Sequence, residues 1–224
     1  MDSFRDIDTL IEYIRSYDAT LVAVTKNRTV SEVRTLYDRG IRDFGENRVS
    51  EMVDKVPHLP DDVRWHMIGH LQTNKIKKIR SFVHLVQSVD RPRLWAELHS
   101  HAERVGRRIP ALLEIKIAQE PTKTGFAPFD EGLEQLLDQG YPEQYHRVEV
   151  QGVMGMASFT DDWAQVRREF RTLRRYFEYL KQHYFTGPQF HTVSMGMSRD
   201  FHIALEEGAT MVRLGRILFT LQNP

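Results

Sequence analysis

The sequence contains no cysteine, and this absence excludes several kinds of chemistry. Disulfide bonds, thiolate nucleophiles and thiolate-bound metals all require that residue. A chain without it suits a reducing compartment, so we expect a cytoplasmic protein. Any covalent chemistry must come from another nucleophile, such as a lysine or serine side chain.

A charge excess and a long apolar run are also missing. Lys+Arg and Asp+Glu each number 31, so the formal net charge is zero and no overall field attracts nucleic acid or an anionic membrane. We therefore expect a small-molecule partner and no nucleic-acid or membrane partner. The first ten residues are too charged for a secretory signal, and no apolar run approaches the length that spans a bilayer. No long Pro/Gly-rich linker interrupts the chain, so residues 1–224 are expected to form one domain.

Short β-rich runs alternate with longer amphipathic stretches along the whole sequence. The candidate strands are residues 19–24, 41–45, 64–69, 82–89, 110–117, 148–154, 190–195 and 211–215. The candidate helices are residues 4–16, 30–39, 73–79, 91–105, 130–139, 161–183 and 198–207, and residues 56–62 and 120–129 read as loops. This alternation predicts parallel strands joined by right-handed crossovers.

Eight strands in this order fit either a closed barrel or a long open sheet. Few residues follow the last candidate strand, so we expect no helix after strand eight. The candidate helix 4–16 would then cover the gap where strand eight meets strand one. This arrangement favours an α/β fold, a (β/α)8 TIM-type barrel with an amino-terminal helix before strand one.

Three positions at the predicted barrel mouth could carry chemistry. In such barrels the site forms at the carboxyl ends of the strands, and phosphate commonly lies after strands seven and eight. Lys26 directly follows strand one, while glycine turns at Gly196 and Gly215 could present backbone N–H groups to an anion. A lysine beside two such turns suits Schiff-base chemistry on a phosphorylated molecule. Taken singly, Lys26 could be a solvated lysine and Ser198 a helix N-cap.

Seven segments, in this order, resemble those of a known family. They are LVAVTKN at 21–27, FGENRVSE at 44–51, WHMIGHLQTNK at 65–75, EPTKTGF at 120–126, QGVMGM at 151–156, SMGMSRDF at 194–201 and EEGATMVRLG at 206–215. The family is that of the pyridoxal phosphate homeostasis proteins, single-domain barrels of PLP fold type III that are similar to the amino-terminal domain of alanine racemase.

The resemblance implies pyridoxal 5'-phosphate (PLP) as the cofactor, held as a Schiff base on Lys26, the one catalytic residue. The other cofactor-binding residues that it implies are Asn47, Ser194, Gly196, Arg213, Gly215 and Arg216. Within this set, Asn47 reaches the cofactor from strand two and Arg213 faces the pyridine nitrogen. The phosphate lies against Ser194, Gly196 and the backbone N–H groups of residues 215 and 216.

By the same resemblance the protein is a carrier for intracellular vitamin B6 with little or no turnover. Apo forms of PLP enzymes are candidate recipients, and we expect a monomer. Two alternatives remain: an amino-acid racemase using Lys26 as its base, and a Schiff-base aldolase acting on a sugar phosphate. A racemase is disfavoured because Arg213 can donate to the pyridine nitrogen but cannot stabilise a pyridinium. Racemases of this fold also use a second base from a further domain and a partner subunit, which we do not expect here.

Some residues depart from the family pattern or suggest other sites. Arg216 stands where a small hydroxyl residue is usual, and Thr220 where glycine is common. His66 and His70 have a spacing that chelates zinc on a helix, but they lie at a strand end, so no metal site is expected. Lys123 is a rival Schiff-base lysine, although a loop lysine is usually solvated.

Overall fold

Eight parallel strands close into a barrel in this computed structural model, which describes residues 4–120 and 124–222. The strands are β1 (Thr20–Val24), β2 (Asp43–Glu46), β3 (Arg64–Met67), β4 (Leu85–Val89), β5 (Ile109–Ile115), β6 (Val148–Gly155), β7 (Thr192–Ser194) and β8 (Met211–Leu214). Each strand pairs with the next, and β8 pairs with β1 from Thr20↔Met211 to Ala23↔Leu214. The predicted barrel is confirmed, and the open sheet is excluded.

Helices surround this barrel. They are α1 (Ile7–Arg15), α2 (Val30–Asp38), α3 (Val49–Lys55), α4 (Pro92–Glu103), α5 (Glu131–Asp138), α6 (Tyr141–Gln144), α7 (Trp163–His183), α8 (Phe201–Glu206) and α9 (Arg216–Gln222), with 3-10 helices at Val56–His58 and Thr73–Lys78. In the described part of the chain, no helix has both the length and the apolar character needed to cross a membrane. The main apolar core lies between the strands and these helices.

The helix α9 corrects one expectation. We expected no helix after strand eight, but seven residues suffice for two turns that bury Leu218 and Phe219. Helix α1 contacts both β1 and α9, so two helices lie near the closure of the barrel. The small number of residues after strand eight did not exclude a helix, because a short helix needs only a pair of buried side chains to hold it in place.

Other helices also differ from the predicted ones, and each difference has a local cause. Helix α3 was not predicted because Arg48 at its N-cap makes no side-chain cap, so the usual start signal is missing. The stretch 73–79 forms a 3-10 helix rather than an α-helix. Helix α1 shows the opposite case, since the Asp6 carboxylate accepts the Thr9 N–H at 2.8 Å and fixes its first turn.

The barrel interior combines an apolar cluster with a chain of hydrogen bonds. The cluster comprises Val22, Leu85, Leu112, Met154 and Met211. The chain links, in order, Arg213, Ser194, Gln87, His66 and Asp43, with successive donor–acceptor distances of 2.6, 2.7, 2.9 and 3.0 Å. All five of its members are buried. This polar chain runs from the carboxyl end of β8 to the start of β2.

An ion pair ends the chain at the amino-terminal face. Arg64 donates to both carboxylate oxygens of Asp43, at 2.8 and 2.5 Å. Burial alone would raise the pKa of Asp43, but the hydrogen bonds from Arg64 and His66 and the charge of Arg64 outweigh it and hold that pKa well below its usual range. The carboxylate is therefore charged at neutral pH.

A bulge in β6 depends on Gly152. Ala111 pairs with Val150 and Leu112 pairs with Gly152, so one residue of β6 is left over at this point. Gly152 has φ 153°, and a Cβ atom there would lie 1.9 Å from the Thr192 carbonyl oxygen in β7. Because that contact is with backbone, it cannot be relieved by a side-chain rotation.

We predict that Gly152→Ala lowers the free energy of unfolding by about 3 kcal/mol or more, since β6 and β7 must separate to admit the methyl group. Urea denaturation measures this change. Gly132→Ala is the matched control: it lies in α5 with nothing within 4 Å of the added atom. There the change should be neutral or stabilising by up to about 1 kcal/mol. An unchanged unfolding midpoint for Gly152→Ala would contradict the close approach of the two strands.

Candidate functional site

A cavity of about 210 Å³ lies at the carboxyl ends of the strands. Residues that follow β1, β6, β7 and β8 form its walls. Four predicted site residues line it together: Lys26, Arg213, Gly215 and Arg216. Lys26 and Gly215 were expected there from their positions at strand ends, and Arg213 and Arg216 from the family resemblance.

Hydrogen bonds from neighbouring residues fix the backbone around Lys26. The preceding Thr25 is fully buried, and its hydroxyl donates to Glu46 at 2.6 Å. The Lys55 ammonium donates to the same Glu46 oxygen at 2.5 Å and to the Thr25 carbonyl at 2.6 Å. Asn27 adopts a left-handed φ of 59°, and its N–H donates to Glu51 at 2.7 Å. The exposed side chain of Lys26 thus extends from a fixed position into the cavity.

The buried carboxyl group beneath Lys26 is unusual. Burial raises the pKa of Glu46, and the Lys55 and Thr25 hydrogen bonds only partly offset this effect. One oxygen of Glu46 accepts both of these donors, while the other is buried without a hydrogen-bond partner among the described residues. The group serves to fix β1, β2 and α3 together rather than to face the cavity.

Two turns bring backbone donors to the other side of the cavity. Gly196 has φ 93°, and a Cβ atom there would lie 2.6 Å from the Ala204 Cβ, so the turn after β7 requires glycine. Within the described chain, the backbone N–H groups of Ser198, Arg199 and Arg216 make no backbone hydrogen bond. All three residues line the cavity. Unpaired N–H groups at a strand-to-helix turn are the donors that an anion needs.

The Ser198 side chain joins these two turns, which the sequence alone did not predict. The Gly215 N–H donates to the Ser198 hydroxyl at 3.4 Å, so the turns after β7 and β8 touch. Ser198 had been considered only as a helix N-cap, because a serine before a helix commonly has that role. The glycine two residues before it was the signal that could have placed it in the anion site.

Arg213 is the buried cation of the site. It is 4% exposed, and it donates to the Ser194 hydroxyl at 2.6 Å and to the Gly155 carbonyl at 3.0 Å. Burial lowers its pKa to about 10, although the charges of Asp200 and Glu114 act in the other direction. Arg213 therefore remains protonated at neutral pH and presents a fixed donor to the cavity.

The structure places the remaining predicted residues elsewhere. Ser194 is fully buried, and its hydroxyl connects Arg213 to Gln87. Neither Ser194 nor Gly196 is among the described residues that line the cavity, whereas Asn47 lines a neighbouring pocket. Lys123 lies outside the described residues.

An aromatic rim, formed by Phe159 and Trp163, borders the cavity on the side of β6. Phe159 is 77% exposed, and the Arg199 guanidinium lies 4.6 Å from its ring centroid and 5.5 Å from that of Trp163. An ion pair with Asp161 at 2.5 Å holds the same guanidinium. Exposed aromatic side chains around a polar cavity are typical of sites that receive a planar ligand.

Comparisons with known proteins give a consistent result. The model of the alanine racemase N-terminal domain family matches residues 5–223. The pyridoxal phosphate homeostasis protein of Aquifex aeolicus is 37% identical over 202 residues, which cover 90% of this chain and 86% of the relative. That of Helicobacter pylori strain J99 is 33% identical over 231 residues, with coverage of 98% and 99%.

Solved structures agree with these relatives. PipY of Synechococcus elongatus, solved with PLP bound, has a TM-score of 0.81 and 33% identity, with 93% of this chain and 97% of PipY covered. An alanine racemase of Clostridium difficile has a TM-score of 0.70 but only 11% identity, so it shares the fold alone. The present chain spans about half of that racemase, 55% of its length.

Asp200 provides a test of the electrostatics of this cavity. Its carboxylate accepts the Met197 N–H at 2.6 Å and lines the cavity beside Arg213. Burial raises the pKa of Asp200, and the Met197 hydrogen bond and the charge of Arg213 do not fully compensate. With a folded-state pKa above the unfolded one, stability falls as pH rises between the two values.

We predict that Asp200→Asn increases the free energy of unfolding at neutral pH, because asparagine keeps the acceptor for Met197 but carries no buried charge. The gain should vanish at about pH 3, where aspartate is protonated in both states. Urea denaturation at the two pH values measures it. Asp61→Asn, at an exposed side chain without a polar partner in the described chain, should change little. A loss of stability in Asp200→Asn at neutral pH would show that the ionised form is the favoured one.

Proposed function

The chain belongs to the alanine racemase N-terminal domain family and, within it, to the pyridoxal phosphate homeostasis proteins, and on that premise we propose that it binds PLP in the cavity beside Lys26. One observation carries this proposal. The residues Lys26 and Arg213 line the same cavity as three residues whose backbone N–H groups make no backbone hydrogen bond within the described chain. An amine for the aldehyde and donors for the phosphate are the two things that this cofactor requires.

The donor set fits a phosphate dianion. The backbone N–H groups of Ser198, Arg199 and Arg216 supply three donors that carry no side-chain entropy cost. The Arg216 side chain is exposed and forms no hydrogen bond or ion pair with the described residues, so its guanidinium is available. In this position it replaces the usual hydroxyl contact with a charge-assisted one.

The proposed role of Lys26 is to hold the cofactor as a Schiff base. Its backbone is fixed by the Thr25–Glu46–Lys55 contacts, so only the flexible part of the side chain must be ordered on binding. Bound PLP supplies a conjugated ring that withdraws electrons from an attached amine. Arg213 would limit that effect, because a protonated guanidinium beside the ring nitrogen could donate a hydrogen bond to it but would not stabilise its protonated form.

For this reason the racemase alternative is not favoured, and we assign the protein to vitamin B6 homeostasis with little or no turnover. The aldolase alternative has no support among the relatives, which are named for PLP. Transfer to apo-enzymes, a monomeric state, a cytoplasmic location and a single domain over residues 1–224 remain proposals of the same kind.

The other predicted contacts take indirect roles in this proposal. Ser194 orients Arg213, and Gly196 shapes the turn that carries Ser198. Asn47 follows β2, which pairs with β1 up to Val24↔Gly45, two residues before Lys26. A contact between Asn47 and the cofactor therefore stays a prediction.

We predict that borohydride reduction of the PLP-loaded protein attaches the pyridoxyl group to Lys26, because this residue lines the cavity and its backbone is held in place. Peptide mapping by mass spectrometry locates the modified residue. Lys26→Ala should lose the visible absorbance of the Schiff base, whereas Lys123→Ala should keep it. Recovery of the pyridoxyl group mainly on Lys123 would refute the assignment.

We further predict that Arg216→Ala raises the dissociation constant for PLP by about five- to thirtyfold, the effect of roughly 1 to 2 kcal/mol from a partly exposed charge-assisted hydrogen bond. Arg216→Thr should recover part of the loss through its hydroxyl. Equilibrium titration followed by absorbance measures both variants. Arg104→Ala, at an exposed arginine beyond the end of α4, is the control and should bind normally. Unchanged affinity in Arg216→Ala would show that the guanidinium does not contact the phosphate.

A further inference from the structure

A second pocket lies on the rim of the barrel, between the segments that follow β2 and β3. Its volume is about 300 Å³, and four of its lining side chains are basic: Arg48, His70, Lys75 and Lys78. The remaining lining residues are Asn47, Val49, Ser50 and Gln72. Among the described residues that line it there is no acidic side chain, although the chain as a whole has equal numbers of acids and bases.

The 3-10 geometry of residues Thr73–Lys78 explains why two lysines face this pocket. A 3-10 helix has three residues per turn, so side chains at positions i and i+3 lie on the same side. Lys75 and Lys78 have this spacing and both line the pocket, whereas Lys77 does not. The buried Ile76 and Ile79 hold the other side of the segment in the core.

The walls of the pocket are rigid. A Cβ atom at Gly69 would lie 2.4 Å from the Asn47 carbonyl oxygen, so the segments after β2 and β3 are in close backbone contact. The Ser88 hydroxyl donates to the Gly69 carbonyl at 2.7 Å. The Asp90 carboxylate accepts a hydrogen bond from the His70 ring at 3.1 Å and so restrains that ring.

The cationic side chains of this pocket are not neutralised within the described protein. Arg48, Lys75 and Lys78 form neither a hydrogen bond nor an ion pair through their side chains with residues 4–120 or 124–222. Elsewhere the structure pairs its arginines readily, as Arg167 does with Glu206 and Glu207. Convergent like charges repel one another, and a bound anion would remove that repulsion.

We propose that this basic pocket, formed by Arg48, His70, Lys75 and Lys78, binds the phosphate group of a phosphorylated small molecule. Ammonium and guanidinium groups supply charge-assisted donors to phosphate oxygens, and the Ser50 hydroxyl with the Asn47 and Gln72 amides can bind a polar remainder. The volume suits a compact metabolite. A nucleic-acid strand would need a longer basic track.

This pocket is distinct from the cavity beside Lys26, since the two share no lining residue. They are nevertheless neighbours on one rim, because β1 and β2 are paired and Asn47 follows β2 directly. The inference does not depend on the proposed PLP site, and the two can fail independently.

The test uses protein whose PLP has been fixed by borohydride reduction, so that the cavity beside Lys26 is filled. Binding of radiolabelled inorganic phosphate is measured by equilibrium dialysis and should show one saturable site. Lys75→Gln or Lys78→Gln should weaken it about three- to tenfold each, as expected for partly exposed charge-assisted contacts. The double variant should lose measurable saturation. Lys77→Gln, in the same 3-10 helix but outside the pocket, is the matched control and should bind as the parent does.

Two further binding experiments distinguish phosphate binding in the basic pocket from phosphate binding beside Lys26 and from nucleic-acid binding. Arg216→Ala protein should keep the phosphate site, since a loss there would mean that phosphate binds beside Lys26. Adenosine 5'-monophosphate should compete with phosphate for the basic pocket. The proposal is overturned if the double variant binds phosphate as the parent does, or if the parent shows no saturable binding. It is also overturned if a single-stranded oligonucleotide binds through Lys75 and Lys78 while adenosine 5'-monophosphate does not compete with phosphate. Failure of PLP to attach would be seen separately, as absence of pyridoxyl absorbance after reduction.

Discussion

A guanidinium buried inside the barrel determines much of the polar structure around it. Leaving such a charge without partners costs several kcal/mol, so the donors of Arg213 must be satisfied within the protein. Ser194 accepts one of them, and its own proton then needs an acceptor, which Gln87 provides. The Gln87 amide in turn donates to His66, whose second nitrogen faces Asp43. Each polar group requires the next, until the ion pair between the buried Asp43 and the half-exposed Arg64 ends the series at the opposite face of the barrel.

This requirement explains why the interior of the barrel is not uniformly apolar. Parallel strands buried on both faces usually carry continuous aliphatic residues. Here β2 contributes a carboxylate and a glycine to the interior, and the apolar cluster around Val22 and Met154 fills only part of the space. The barrel thus gives up some hydrophobic contact to hold one cation in a fixed position. Hydrogen bonds therefore connect Arg213 at the mouth to Asp43 at the far end of the barrel.

The closed barrel was favoured over an open sheet by the expected helix before strand one and by the family resemblance, whereas the eight strands were predicted by periodicity. Periodicity could not predict α9, which depends on Leu218 and Phe219 finding a core to enter, nor α3, which lacks a capping residue. In the site, Lys26 and Gly215 were expected from their positions at the ends of strands one and eight, and Arg213 and Arg216 from the family resemblance. Ser194 and Asn47 were harder, because the direction of a side chain at a strand end is set by neighbours on other strands. Only the structure shows that the Ser194 hydroxyl already has two partners.

Parallel strands in a closed barrel bring all their carboxyl ends to one rim, and this geometry has an electrostatic consequence. Segments leaving the strands expose unpaired N–H groups there, so the rim favours anions even in a protein of zero net charge. The basic residues Arg216 and Arg48 stand at two separate points of that rim, after β8 and after β2, and neither has a carboxylate partner in the described chain. Although the net charge is zero, unpaired positive charges are therefore present at this rim. Acids also lie at this rim, where Asp161 pairs with Arg199 and Asp200 lines the cavity, but Arg216 and Arg48 form no ion pair within the described chain.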